Sequence, residues 1–271
     1  MAAKRQADLP DLSSWIESRQ SQGLYFFTRE EALKALKRSE AAFKQAAARL
    51  ARKRRIARIH GGFFIIIPFE YAATGMLPAE RFIDDLMNYI GQPFYVGLMS
   101  AAALHGAAHQ QPQQFHVVTN GPLRDIKSKN RLAIIFFSKS EIEKVPLTRV
   151  KVQTGHIHVS TPEATALDLI SYAKRIGGLD RVLTVLQELG EAMEPEKLEE
   201  AARSDGKLAS AQRLGFLLEK AGFFDLTRNL LKWVTEKNPF PAKLEPSIKN
   251  RGYKKDERWN LIVNIDVEGD L

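Results

Sequence analysis

The apolar positions change period along the chain, and each change marks an element. Leu12, Trp15 and Ile16 fall on one side of a helix over residues 8–22, which Gly23 stops. Leu24-Tyr25-Phe26-Phe27 reads as a short strand. Thr28 then opens a second helix. Its hydroxyl can accept a backbone N–H and Glu31 can reach back to it, the pattern of a capping box, with Leu33 and Leu36 on the buried side. Ser39 is the next N-cap, before a helix over residues 40–53 in which Phe43, Ala47 and Leu50 recur at i, i+4 and i+7. The run Phe63-Phe64-Ile65-Ile66-Ile67 then predicts a hairpin over residues 56–67, turned at Gly61-Gly62, where glycine accepts positive φ. A helix followed at once by a short hairpin is the order of a winged helix-turn-helix.

Periodicity lapses over residues 68–78, which contain Gly75 and two prolines, so a domain boundary is expected there. Beyond it the pattern mixes helices and strands. Helices are predicted over residues 79–90 and 95–105, the second rich in small residues, and strands over 114–119, 132–137, 149–153 and 156–159. Thr161-Pro162-Glu163 starts a buried helix carrying Ala166, Leu167, Leu169 and Ile170, with proline in the first turn after a threonine cap. Helices follow over residues 177–189, 196–203, 210–221 and 224–236, and a strand over 259–267 closes the chain. The fold class expected is α/β in the α+β sense: a winged helix-turn-helix over residues 1–70, then a mixed α/β domain over 79–271.

Charge sharpens this division. The chain of 271 residues has a formal charge of +8, and residues 1–71 hold 14 Lys and Arg against 7 Asp and Glu. The remaining 200 residues hold 26 against 25, so nearly all the excess lies in the first quarter. Between Ala41 and Phe69 stand seven cations and no acid. A surface of one sign attracts a phosphate backbone whatever its base sequence. The helix after Ser39 is slim at its start and long and cationic at its end, which suits close approach to a major groove followed by phosphate clamping. Lys44 and Gln45, early on this helix, are the candidates for base edges. Arg49, Arg52, Lys53, Arg54 and Arg58 are the candidate phosphate clamps, and His60 joins Arg58 near the hairpin tip. One such domain buries limited surface, so tight binding calls for two copies on an inverted repeat, from a dimer or from cooperative monomers.

Other chemistry finds little footing. The chain has no cysteine, which removes disulfides, thiolate zinc sites and cysteine nucleophiles. Residues 1–10 lack the apolar core of a signal peptide, and no run approaches the ~18 apolar residues of a membrane span, so a cytoplasmic location is expected. His105 and His109 lie four apart, and His156 and His158 two apart on one strand face, but no acidic partner sits at a metal-ligand spacing. Asp168 lies among Leu167, Leu169 and Ile170, where a buried acid must be paired or capped. Asp84 and Asp85 are adjacent on a helix and expected to face solvent. Ser100 lacks the glycine that would follow it in a nucleophile elbow. No catalytic residue, cofactor or metal is therefore assigned. A ligand-sensing regulator and a metal-dependent DNA-targeted hydrolase using His156 and His158 remain as alternatives.

The second domain also resembles a known family. The stretch from Tyr95-Val96-Gly97 through Leu104-His105-Gly106 to Phe115-His116-Val117, the stretch Val159-Ser160-Thr161-Pro162-Glu163 with Asp168 after it, and the closing Arg258-Trp259-Asn260-Leu261 are similar to the AbiEi antitoxin family. Phe27-Thr28-Arg29-Glu30-Glu31-Ala32 and Ile59-His60-Gly61-Gly62-Phe63-Phe64 resemble the winged helix that precedes that domain. The resemblance implies a bacterial antitoxin and transcriptional autorepressor, binding inverted repeats in its own promoter. It also implies a partner toxin resembling a nucleotidyltransferase, in a system of phage abortive infection, which the antitoxin need not touch directly.

Overall fold

The structure is a computed structural model and describes residues 11–107, 113–127, 132–249 and 253–269. His109 lies outside the described residues. Packing divides the chain into two units: Met1–Gln92 with Asp125–Ile134 and Lys151–Ile157, and Pro93–Arg124 with Ile135–Val150 and His158–Leu271. No helix among the described residues is long and apolar enough to cross a membrane.

The first unit begins with α1 (Leu12–Ser21), capped by the Asp11 carboxylate, and β1 (Phe26–Thr28). At the start of α2 (Arg29–Leu36) the expected capping box is formed. The Thr28 hydroxyl accepts from the Glu31 amide at 3.1 Å, and the Glu31 carboxylate accepts from the Thr28 amide at 2.7 Å. Lys37 ends α2 in the left-handed region and Ser39 caps α3 (Glu40–Arg52). Then come β2 (Ile56–His60) and β3 (Phe63–Ile66). The sheet runs β1-β3-β2, antiparallel throughout, so β3 is its centre. Phe43, Ala47 and Leu50 of α3 join Leu12, Ile16, Phe27, Leu36, Ile56 and Ile66 in one apolar core. Aromatic rings link its parts: Phe27 stacks on Phe64 at 5.2 Å, Phe43 meets the same Phe64 edge-on at 5.8 Å, and Trp15 meets Phe27 at 5.4 Å.

After two single-turn 3-10 segments comes α4 (Ile83–Ile90), which also belongs to the first unit. The helix expected over residues 79–90 is thus split. Residues Ala79–Arg81 form a 3-10 turn, and Phe82, at φ −140°, breaks the path into α4. Asp84 and Asp85, expected to face solvent, are half-buried. Burial, and then the neighbouring Asp84 charge, push the Asp85 carboxyl up to about 6.

The second unit starts with β4 (Phe94–Val96) and α5 (Leu98–Leu104). A single helix was expected over 95–105. The aromatic and β-branched triplet instead extends, and the small-residue run turns helical only after Gly97. Along the chain there follow β5 (Phe115–Thr119), β6 (Ile126–Lys127, within the first unit), and β7 (Ala133–Ser138), β8 (Leu147–Val152) and β9 (Gly155–Ser160), each with residues in both units. The larger sheet runs β6-β7-β5-β4-β9-β8; β4 pairs antiparallel with β5 and parallel with β9. The helices are α6 (Pro162–Ser171), α7 (Ala173–Ile176), α8 (Leu179–Leu189), α9 (Pro195–Asp205), α10 (Leu208–Lys220) and α11 (Arg228–Glu236). A small sheet of β10 (Ala242–Lys243), β11 (Lys254–Asp256) and β12 (Leu261–Val263) closes the chain, in the order β10-β12-β11. The final strand is shorter than expected because Asn260 adopts a left-handed φ of 48° just before it. Trp259 is buried flat against Gly215 of α10, where an added Cβ would lie 2.1 Å from the ring.

The Asp85 environment sets a pH dependence. Its carboxyl holds a proton more tightly folded than unfolded, so between roughly pH 4 and the folded value the native state binds more protons. This group's contribution to stability therefore falls as pH rises through that window. Asp85→Asn removes the penalty: the variant's gain in Tm over the parent should be small at pH 4 and larger at pH 7, as thermal unfolding at the two pH values would measure.

Candidate nucleic-acid interface

The candidate residues sort into three groups by what their side chains already hold. Ser39 spends its hydroxyl on the helix start, accepting from the Ala42 amide at 3.3 Å. It is a cap that fixes where α3 begins. Lys44, Arg54 and Arg58 are engaged within the chain. The Lys44 ammonium lies 3.3 Å from Glu40 Oε1, one turn back on α3. Arg54, itself at φ 53°, donates from Nη1 to the Ala73 carbonyl at 2.9 Å. Arg58 donates from Nε to the Gly61 carbonyl at 2.6 Å, across the hairpin turn.

Gln45, Arg49, Arg52 and Lys53 form the third group. All four are exposed, and among the described residues their side chains make no ion pair or hydrogen bond. Gln45, Arg49 and Lys53 recur every fourth residue along α3, so they share one row. That row lines a groove whose other wall carries Leu12 and Leu33, with Arg38 at its edge. Arg52 lies on the outermost line of the helix with Ala41 and Ala48, both exposed and short. Three cations without an ion pair among the described residues thus stand at the C-terminal end of one helix, next to positions slim enough for close approach, and the Asp11 carboxylate lines the same groove. Arg38 joins them, though spacing alone did not single it out. It sits in the three-residue link between α2 and α3, and only the groove brings it near Arg49.

The hairpin tip is held from two sides. The Gly62 carbonyl accepts from the Arg29 amide at 2.8 Å, and the Gly62 amide donates to the Tyr89 hydroxyl of α4 at 2.9 Å. The Tyr89 ring also rests on Phe63, at 5.6 Å between centroids. A Cβ at Gly62 would come within 3.1 Å of the Tyr89 oxygen, so glycine gives the phenol its room. The register slips between Arg58 and His60, a bulge that leaves His60 exposed at the tip. Tyr89 was not legible as a partner of the hairpin, since 27 residues separate it from Gly62.

The second unit contains a different charge cluster, of which the sequence marked only Asp168. Fully buried on α6, Asp168 accepts from the Tyr95 hydroxyl at 2.7 Å and from Lys139 Nζ at 2.8 Å. The same ammonium lies 2.9 Å from Asp205 Oδ1 at the end of α9. Burial works against the charge on Lys139, but the two carboxylates outweigh it and raise its pKa. Burial also pushes the Asp168 carboxyl up, against Lys139 and the Tyr95 hydrogen bond, and drives the Tyr95 phenol far above its usual range. The cluster joins the end of β7 to α6, α9 and β4. Of the histidines, His105 shares a 2.7 Å hydrogen bond with the Ser160 carbonyl, while His156 and His158 are exposed on β9. Among the described residues no group of three or more His, Asp or Glu side chains converges as metal ligands do.

Residues 95–220 match the AbiEi antitoxin C-terminal domain, a span that includes all four members of the buried cluster. None of the curated proteins matches this sequence. Among solved structures, the RV2827C protein from Mycobacterium tuberculosis superposes with a TM-score of 0.65 at 14% identity, covering 92% of this chain and 90% of that one. That likeness is one of fold. The antibiotic-resistance factor ANT(2'')-Ia covers 57% of this chain and 94% of its own at 12% identity, with a TM-score of 0.27 that carries no argument.

Two substitutions test these arrangements. Lys139→Met removes the ammonium between two buried carboxylates, leaving Asp168 without a cation and Asp205 with only the more distant Lys207 at 3.6 Å, and should cost about 3–5 kcal/mol in denaturant unfolding. Tyr89→Phe keeps the ring on Phe63 but removes the acceptor for the Gly62 amide. It should cost about 1 kcal/mol and speed hydrogen exchange at Gly62 while leaving α3 protected.

Proposed function

We propose that this chain, whose residues 95–220 match the AbiEi antitoxin C-terminal domain, is an antitoxin that represses its own operon by binding promoter DNA through its N-terminal unit. The reading takes residues 1–70 as a winged helix-turn-helix and residues 79–271 as the antitoxin domain. The observation that carries it is the set of exposed cations at the end of α3 that form no ion pair among the described residues, Arg49, Arg52 and Lys53, with Arg38 and a single carboxylate, Asp11, lining the same groove. A folded protein that exposes like charges in one place bears their mutual repulsion, and a polyanion relieves it. The element order supports the same reading. A capped helix, a tight turn, a second helix with a slim outer face and a hairpin behind it is how such domains meet a major groove.

In this reading α3 enters the groove with Gln45 toward base edges, and Arg49, Arg52 and Lys53 take phosphates. The hairpin, held by Arg29 and Tyr89, supports α3 and presents Arg58 and His60 to adjacent backbone. Two copies on an inverted repeat, as a dimer or as cooperative monomers, supply the surface that one domain lacks. The antitoxin domain counters a toxin resembling a nucleotidyltransferase, with or without direct contact, and the protein acts in the cytoplasm, where promoter DNA is reached.

Counterion release makes the test quantitative. Affinity for a duplex spanning the operon's own promoter should fall steeply with salt. Changing Arg49 and Arg52 together to alanine should weaken binding to every sequence and flatten the log–log salt slope by about 1.8, near 0.9 per phosphate contact. An affinity indifferent to salt, or no complex at low ionic strength, would sink the repressor reading.

A further inference from the structure

One acid stands on the otherwise cationic and neutral α3. Glu40 is the first residue of the helix after the Ser39 cap, and no other acid occurs before Glu70. Its carboxylate is exposed yet paired twice. Oε1 lies 3.2 Å from Arg29 Nη1, at the start of α2, and 3.3 Å from Lys44 Nζ. A single oxygen thus gathers two cations at the end of the helix that base-reading domains put deepest into the groove. All three side chains are accessible, with relative exposures of 45% for Arg29, 53% for Glu40 and 68% for Lys44. The short, exposed Ala41 and Ala48 beside them leave the approach open.

We infer that Glu40 is a specificity-determining residue, which selects a cytosine at the start of each half-site and withholds Arg29 and Lys44 from phosphates. The inference rests on the DNA-binding reading above and adds to it. A carboxylate only accepts hydrogen bonds, and it has about four acceptor positions, so the two cations do not exhaust it. In the major groove the exocyclic amine of cytosine is a donor suited to a carboxylate, whereas guanine presents acceptors there. Near a phosphate backbone the same charge is repelled. Glu40 therefore disfavours random DNA and favours a duplex that offers it a donor, which is discrimination by a repulsive element as well as an attractive one. The cations complete the device. Held on Glu40, Arg29 and Lys44 add little to sequence-independent attraction; freed from it, both would join the phosphate-binding set.

The test uses the full chain and a duplex library with a randomised core. Parent and Glu40→Gln proteins each select from it at one salt concentration. Affinities are then compared on the parent's selected duplex and on a scrambled duplex of equal composition. Glutamine keeps the length and removes the charge, and its amide suits adenine. The expected result is a parent site with a fixed cytosine that the variant relaxes or replaces by adenine, other positions being unchanged. Discrimination between the two duplexes should drop about tenfold, the size of one base contact, with tighter binding to the scrambled duplex. Identical selected sites and identical discrimination would overturn the inference while leaving DNA binding intact. A parent protein that enriches no sequence would overturn both. Matching thermal unfolding curves for the two proteins exclude a folding defect.

Discussion

The first unit depends on one strand. β3 is hydrogen-bonded on both edges, to β1 and β2, and its Phe64 touches both the Phe27 ring of β1 and the Phe43 ring of α3. That single side chain ties the outer helix to the sheet behind it. Trp15 extends the chain of rings to α1 through Phe27. Aromatic contacts of this kind are directional as well as apolar, so they fix orientation in addition to burying area. The angle at which α3 presents its cations is thereby set by packing underneath it and not by the charges themselves, which repel one another.

The two units handle charge in opposite ways. In the second unit, Lys139 sits between Asp168 and Asp205 with the Tyr95 hydroxyl as a further donor, and all four side chains are largely buried. Burial makes every partner there obligatory, because an ion in a poorly polarisable surrounding has no water to turn to. At the surface of the first unit Arg49, Arg52 and Lys53 form no ion pair among the described residues, Lys44 is paired with the exposed Glu40, and Arg54 and Arg58 are held by backbone carbonyls. Interior charges are spent on holding secondary structure together.

Much of the first unit was legible because its signals are local. The capping box at Thr28 and Glu31, the Ser39 cap and the 43–47–50 stripe each lie within a few residues, and each formed where spacing put it. The Gly61-Gly62 turn was legible for the same reason. What escaped was non-local or conflicting. Residues 94–96 carry β-forming side chains against a helix-forming neighbourhood, and pairing with β5 and β9 decided the matter. The Tyr89 contact with the turn and the Lys139 contact with Asp168 join residues 27 and 29 apart, which no periodicity reports. For Asp168 the sequence did announce a need, a carboxylate on an apolar helix, without naming who would meet it. For residues 41–69 it announced seven cations without saying which were already taken, because Ala73 and Gly61 hold Arg54 and Arg58 through backbone carbonyls that any residue could offer.

Trp259 and Gly215 carry a consequence for how such a chain can change over time. The indole fills the notch that the missing side chain leaves on α10, and Gln212, three residues earlier on that helix, donates to the Trp259 carbonyl at 2.9 Å. A lone methyl at 215 collides with the ring, while a smaller ring at 259 alone opens a void, so either step by itself is a loss. The last strands and α10 are therefore bound to descend as a pair. Recombination that swaps the tail between relatives without its helix meets a barrier there.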